Sequence, residues 1–238
     1  MMSAPQLSIR DLASPNQEER PPGTVIDTLI LHYTGMKTAA EALARLADPD
    51  SGVSAHYVID EDGSIVRMVP EEKRAWHAGI ASWQGETNIN DRSIGIELVN
   101  PGHEFGYRAF PEAQMTALIQ LSREILARHP IPPARVLGHS DVAPKRKSDP
   151  GELFDWARLA REGIGLWPES AAASETPSLA EIQAQLAAFG YDVPQSGALD
   201  TETLAAVAAF QRHFRPEHVD GVIDRETVAR LRAVLGAA

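Results

Sequence analysis

The chain has 238 residues, no cysteine and a formal net charge of −11, from 22 Lys plus Arg against 33 Asp plus Glu. The length allows one large domain or two small ones, and 43% hydrophobic with 23% charged residues is the composition of a chain that buries a proper core. The acidic balance argues against nucleic acid as a partner, the missing cysteines exclude disulfides and thiolate metal sites, and no apolar run approaches the ~20 residues of a membrane span.

In chain order, Val25 to Tyr33 reads as a strand that delivers His32 near its end, and Ala39 to Leu46 as a helix. Ala55 to Asp60 and Ser64 to Pro70 flank the turn signal Glu61-Asp62-Gly63 and form a hairpin. Ser93 to Asn100 carries apolar residues on both faces, as a central strand covered on two sides does. Pro111 to His129 is the clearest helix, with Met115, Leu118, Ile119, Ile125 and Leu126 on one stripe. Arg135 to Gly138 is a short strand leading to His139, and Glu152 to Arg161 a last helix. Strands mixed with helices in this order indicate a three-layer α/β domain over residues 1–167, a mixed central sheet flanked by helices.

A proline and small-residue segment at 168–177 then reads as a linker. From Ser178 on the pattern changes to a small all-α, three-helix domain, 178–238. Ser178-Leu-Ala-Glu181 is a capping box, followed by Ile182, Leu186 and Phe189 on one face. A second helix carries Leu204, Val207, Phe210 and Phe214, and a third Val228, Leu231 and Leu235. Gly197-Ala-Leu-Asp-Thr-Glu-Thr is echoed by Gly221-Val-Ile-Asp-Arg-Glu-Thr, with Asp200 and Asp224 where helix N-caps belong.

The chemistry concentrates in Gly-His-Ser-Asp-Val-Ala-Pro-Lys-Arg-Lys-Ser-Asp-Pro-Gly, residues 138–151. His139 and Asp149 from this loop, with His32 from the first strand, make two imidazoles and a carboxylate, three ligands for a zinc ion with a fourth position left for water. Glu97, on Ile94-Gly-Ile-Glu-Leu, is the candidate general acid and base, since apolar strand neighbours leave its carboxyl poorly hydrated. Lys147, two residues before Asp149, is placed to stabilise an oxyanion. His56 is expected to pack or orient, and His103, His129, His213 and His218 to lie on the surface.

Five stretches occur in a telling order: Leu31-His-Tyr-Thr34, Ser54-Ala-His-Tyr57, Arg74-Ala-Trp-His-Ala-Gly79, Ser93-Ile-Gly-Ile-Glu-Leu98 and the 138–151 loop. Together they resemble the zinc-dependent N-acetylmuramoyl-L-alanine amidases, the group that holds the AmpD and AmiD enzymes, over about residues 24 to 165. The last 60 or so residues resemble the peptidoglycan-binding domain often appended to wall hydrolases. The resemblance implies hydrolysis of the amide between the lactyl group of N-acetylmuramic acid and L-alanine. It supports zinc on His32, His139 and Asp149, with Glu97 and Lys147 catalytic, and adds Tyr33, Tyr57, Trp76 and His77 as substrate contacts. Its implied partner is peptidoglycan or a muropeptide, met by a monomer. Gly52 and Asn88 stand where AmpD-like enzymes carry arginines, so the broader AmiD-like substrate range is the better analogy. The alternative is a recognition protein that binds muropeptides without cutting them. No secretory signal is visible in Met1 to Arg10, which leaves the compartment open between the cytoplasm and, for a trimmed mature form, the periplasm.

Overall fold

The structure, a computed structural model, describes residues 7–169 and 177–238, so most of the expected linker at 168–177 lies outside the described residues. The elements run β1 (Ile9–Asp11), β2 (Gln17–Glu19), β3 (Thr28–Tyr33), α1 (Ala39–Ala47), β4 (Tyr57–Ile59), β5 (Ile65–Arg67), β6 (Lys73–Ala75), β7 (Ser82–Trp83), β8 (Glu86–Thr87) and β9 (Ser93–Leu98). They continue with α2 (Gly102–Phe105), α3 (Glu112–Arg128), β10 (Val136–Gly138), α4 (His139–Val142), α5 (Trp156–Arg161), α6 (Leu179–Phe189), α7 (Thr201–Phe214) and α8 (Arg225–Ala237). The described residues pack as two compact units, one from residues 7–77 and 90–131, the other from 78–89, 132–169 and 177–238.

The first unit is built on a mixed sheet with strands in the order β1-β5-β4-β9-β3. β3 and β9 pair in parallel from Thr28 opposite Ser93 to Tyr33 opposite Leu98. β4 is parallel to β9 on its other side and antiparallel to β5. The β4–β5 hairpin turns at Gly63, whose φ of +87° suits a residue without a Cβ. Both long strands are buried along nearly their whole length, as expected of strands covered on two faces. α1 begins where the Thr38 side chain accepts the Glu41 N–H at 3.2 Å. Its Leu46 joins Val58, Val66, Met68 and Val99 in one cluster of buried side chains, each such residue contributing about 1.5–3 kcal/mol by leaving water. α3 buries Met115, Leu118, Ile119 and Ile125 as the sequence stripe requires. Its Gln114 sits on the same buried side and donates to the carbonyls of Ile59 and Val99 at 2.9 and 3.0 Å, tying the helix to the sheet.

In the second unit the three C-terminal helices start at side-chain caps. Ser178 and Glu181 form the capping box, and Asp200 and Asp224 accept the N–H groups of Thr203 and Thr227 at 2.7 and 2.9 Å. The sequence echo is a repeated set of hydrogen bonds around two fully buried glutamines. Gln183 accepts the Gly197 N–H and donates to the Ala198 carbonyl and the Thr203 hydroxyl. Gln211 does the same with Gly221, Val222 and Thr227.

Three expectations are corrected here. Leu204 is 39% exposed, its place inside α7 being taken by Thr203 and Val207. Leu235 is half-buried, while its neighbour Val234 is fully buried. His213 is buried rather than on the surface, 2% exposed and stacked on Trp156 with ring centroids 3.7 Å apart. The same helices hold the segment 78–89: Trp83 packs edge-on against Phe189 and Tyr191, and the Gln84 N–H bonds the Gly190 carbonyl at 2.8 Å. A Cβ at residue 190 would collide with the Trp83 indole, and the backbone there has φ +150°, so only glycine fits. Among the described residues no helix is long and apolar enough to cross a membrane.

Candidate metal centre

The β3–β9 register sets His32 directly opposite Glu97. Paired residues in neighbouring strands point to the same face of a sheet, so imidazole and carboxylate stand side by side. Glu97 is half-buried. Two positions back on the same face is Gly95, and the His77 ring lies over it: a Cβ on residue 95 would come within 2.5 Å of that ring. From there His77 Nδ1 meets His32 Nε2 at 3.0 Å, and His77 Nε2 meets the Ser93 hydroxyl at 3.0 Å. His77 thus links the His32 ring to the Ser93 hydroxyl through a single imidazole.

His56 is fully buried one layer further in. Its Nδ1 accepts the Gly95 N–H at 2.9 Å, so its Nε2 carries the hydrogen and donates to the Lys73 carbonyl at 3.1 Å. Burial, reinforced by the Arg20 guanidinium nearby, pushes its pKa down to about 3, which keeps the ring neutral.

The other two candidate ligands come from one tight loop. β10 delivers Gly138, and α4 starts with His139. The Ser140 N–H closes on the Asp149 carbonyl at 2.9 Å. Gly138 is pressed against Pro150 and Trp156, and a Cβ there would lie 2.8 Å from Pro150 Cδ. His139 Nε2 is 3.0 Å from the Ala78 carbonyl, and its Nδ1 is 3.1 Å from Asp149 Oδ2. A carbonyl can only accept, so Nε2 carries hydrogen, and Nδ1 is the ring nitrogen turned toward Asp149. Among the described residues, His32, His139 and Asp149 form a group able to hold a metal ion, all buried, their ligand atoms within 4.8 Å of one another. The donor set, the burial and the carbonyl that orients His139 all fit a metal.

Lys147 sits half-buried on the loop two residues before Asp149, while its neighbour Arg146 donates to the carbonyls of Ala78 and Ile80. Of the side chains expected to contact substrate, Tyr33 is half-exposed beside His32, its hydroxyl 2.9 Å from His103 Nδ1, and Trp76 is half-buried. His77 and Tyr57 are buried at 8% and 3% exposure. The Tyr57 hydroxyl donates to Glu71 at 2.7 Å, and burial together with that carboxylate raises its pKa. Burial alone would raise Glu71, but hydrogen bonds from Arg128, Tyr57 and His129 outweigh it and hold its pKa at about 2.

Asp141 is a residue that sequence reasoning passed over. It is 1% exposed, and its carboxylate accepts the Gly138 N–H at 2.8 Å, the Tyr191 hydroxyl at 2.6 Å and His213 Nδ1 at 2.7 Å. Burial beside this carboxylate raises the Tyr191 pKa well above its ordinary value, so the hydroxyl stays a donor. An aspartate inside a motif already assigned to metal binding gave no separate signal, and its partners are 50 and 72 residues away.

Two imidazoles and a carboxylate on a mixed α/β scaffold form a candidate metal site. The profile of the N-acetylmuramoyl-L-alanine amidases matches residues 22–152, more than half the chain, and that of the peptidoglycan-binding domain matches 175–231. The chain belongs to the N-acetylmuramoyl-L-alanine amidase family. It is 40% identical to the amidase AmiD of Escherichia coli over 234 residues, 88% of this chain and 82% of that one. The solved structure of E. coli AmiD in complex with the substrate anhydro-N-acetylmuramic acid-L-Ala-D-gamma-Glu-L-Lys superposes with a TM-score of 0.77 at 38% identity, covering 92% of this chain and 93% of that one. AmpDh3 of Pseudomonas aeruginosa, solved with an anhydromuramic pentapeptide, gives a TM-score of 0.80 at 34% identity, covering 93% and 96%.

Proposed function

We propose that this amidase holds zinc on His32, His139 and Asp149 and cleaves the lactyl amide of anhydro-muropeptides and of peptidoglycan strands. The observation that carries the metal is the buried group of His32, His139 and Asp149, whose ligand atoms lie within 4.8 Å of one another. The substrate class is supported by the muropeptides bound to the two similar enzymes. When bound there, zinc would supply Lewis acidity for activating water and polarising the scissile carbonyl.

The protein supplies the proton traffic. Glu97, beside His32 on the sheet, takes a proton from the attacking water as the new C–O bond forms. It returns that proton to the alanine nitrogen as the C–N bond breaks, so stem peptide leaves with a free amine. The Lys147 ammonium offsets the charge that develops on the carbonyl oxygen. His77 and Ser93 fix the His32 ring, and the Ala78 carbonyl fixes His139.

The test is a mass-spectrometric digest of soluble anhydro-muropeptides and of intact peptidoglycan. We expect release of peptides with N-terminal alanine from both, lost with a chelator and restored by zinc. Release unaffected by exhaustive chelation would remove the metal from the reading, and release from only one substrate would narrow the substrate class.

A further inference from the structure

The three C-terminal helices do more than follow the amidase domain. Their side chains reach the loop that presents two of the three metal ligands. Tyr191, just after α6, and His213, on α7, both donate to Asp141, at 2.6 and 2.7 Å. Asp141 is two residues from His139 and accepts the N–H of Gly138, the residue just before that ligand. On the other side of the loop, His213 stacks on Trp156 at 3.7 Å. Trp156 in turn lies 3.3 Å from where a Gly138 Cβ would stand, and Pro150, which follows the ligand Asp149, lies closer still. Near the middle of the loop, Lys145 pairs with Glu202 of α7 at 2.5 Å.

We propose that Tyr191 and His213 are positioning residues for the metal centre: by holding the buried Asp141 they fix the spacing of His139 and Asp149, so the C-terminal module is part of the ligand-bearing loop's framework.

The physical reason is the cost of a buried carboxylate with too few donors. Asp141 is almost fully buried, and loss of one of its three donors leaves an acceptor lone pair with neither protein nor water to satisfy it. The helical turn relaxes toward water to recover a partner, and His139 rides on that turn. Groups that orient a metal ligand from behind typically matter by about 10- to 100-fold in metal affinity.

This inference rests on the proposed zinc site, and the test separates the two. Zinc affinity is measured on the full chain by competition with a chromogenic chelator, and the visible spectrum of the cobalt-substituted protein reports ligand geometry. The variants are Tyr191→Phe, which removes one hydroxyl at nearly constant shape, His213→Leu, which removes a donor, and His213→Asn, whose amide can donate from nearly the same point. Thr227→Val serves as control: it breaks a buried bond to Gln211 inside the module but touches nothing on Asp141. We expect Tyr191→Phe and His213→Leu to weaken zinc binding about tenfold or more and to alter the cobalt spectrum. His213→Asn should recover most of the affinity, and Thr227→Val should lower stability with zinc affinity unchanged. Tyr191→Phe binding zinc within twofold of wild type with an unaltered cobalt spectrum would overturn the inference, even if His213→Leu fails to fold. A wild-type chain that takes up no zinc would overturn the metal reading and this one with it.

Discussion

His139 uses its two ring nitrogens differently: Nε2–H is spent on the Ala78 carbonyl, so Nδ1 is the nitrogen turned toward Asp149 and the one available to a proposed zinc. That division of labour makes His139→Ala a clean probe. It should abolish stoichiometric zinc, read by inductively coupled plasma mass spectrometry, and remove turnover with it. Glu97→Ala should behave oppositely, keeping one zinc per chain while turnover falls by about 10²–10⁴, the usual contribution of a general base; near-normal turnover would rule out its assigned role. The pairing of Glu97 with His32 was legible in the sequence only as two separate motifs, because register between strands 60-odd residues apart has no local signature. The candidate ligands His32, His139 and Asp149 stood out in the sequence because histidine and aspartate in ordered motifs are chemically specific. His213 was not: a histidine on a helix looks the same in sequence whether it faces water or a buried carboxylate 72 residues away.

The long elements were readable because their burial is periodic. β3, β9, α1 and α3 fall where apolar spacing puts them, within a few residues. The short strands β1, β2, β6, β7 and β8 were not, since two or three residues carry no period and exist through their partners, as β2 does beside β6. Gln183 and Gln211 are the same lesson at the helix scale. Polar residues on helices that read as amphipathic, they sit fully buried because each satisfies a loop glycine, a carbonyl and a threonine. Gln211→Leu should therefore destabilise the chain by about 1–3 kcal/mol by stranding those groups, whereas Asp224→Ala, loss of one helix cap, should cost about 1 kcal/mol. Urea denaturation of the full chain distinguishes them. At the sheet, Gly95→Ala should push the His77 ring away from His32 and lower zinc affinity without altering Glu97, a change read by the same chelator competition.

For the whole molecule, acid is the condition that tests the buried network. His56 is neutral in the fold with its pKa held near 3, so as pH drops below the ordinary 6.5 the unfolded chain takes up a proton the folded one refuses. Stability from this residue is complete above 6.5 and is lost down to about pH 3, at up to ~1.4 kcal/mol per pH unit. Glu71 acts lower: its contribution is intact above the ordinary 4.5 and is lost as pH falls toward about 2. Denaturation midpoints between pH 7 and 4.5 should thus fall in the wild type, and fall less steeply in His56→Asn, whose amide oxygen can still accept the Gly95 N–H but cannot titrate. Equal slopes would assign the acid sensitivity to other groups.

The contact of Tyr191 and His213 with Asp141 also bears on how such chains are assembled over time. A binding module tethered by a linker can be traded between enzymes freely, as one interchangeable part among many. Here the graft line runs through a shared buried carboxylate and the Trp156 ring, so a foreign three-helix module would arrive without the two donors that this loop requires. Recombination at the 168–177 segment would succeed only when both halves carry matching residues, and the two are expected to be inherited as one piece.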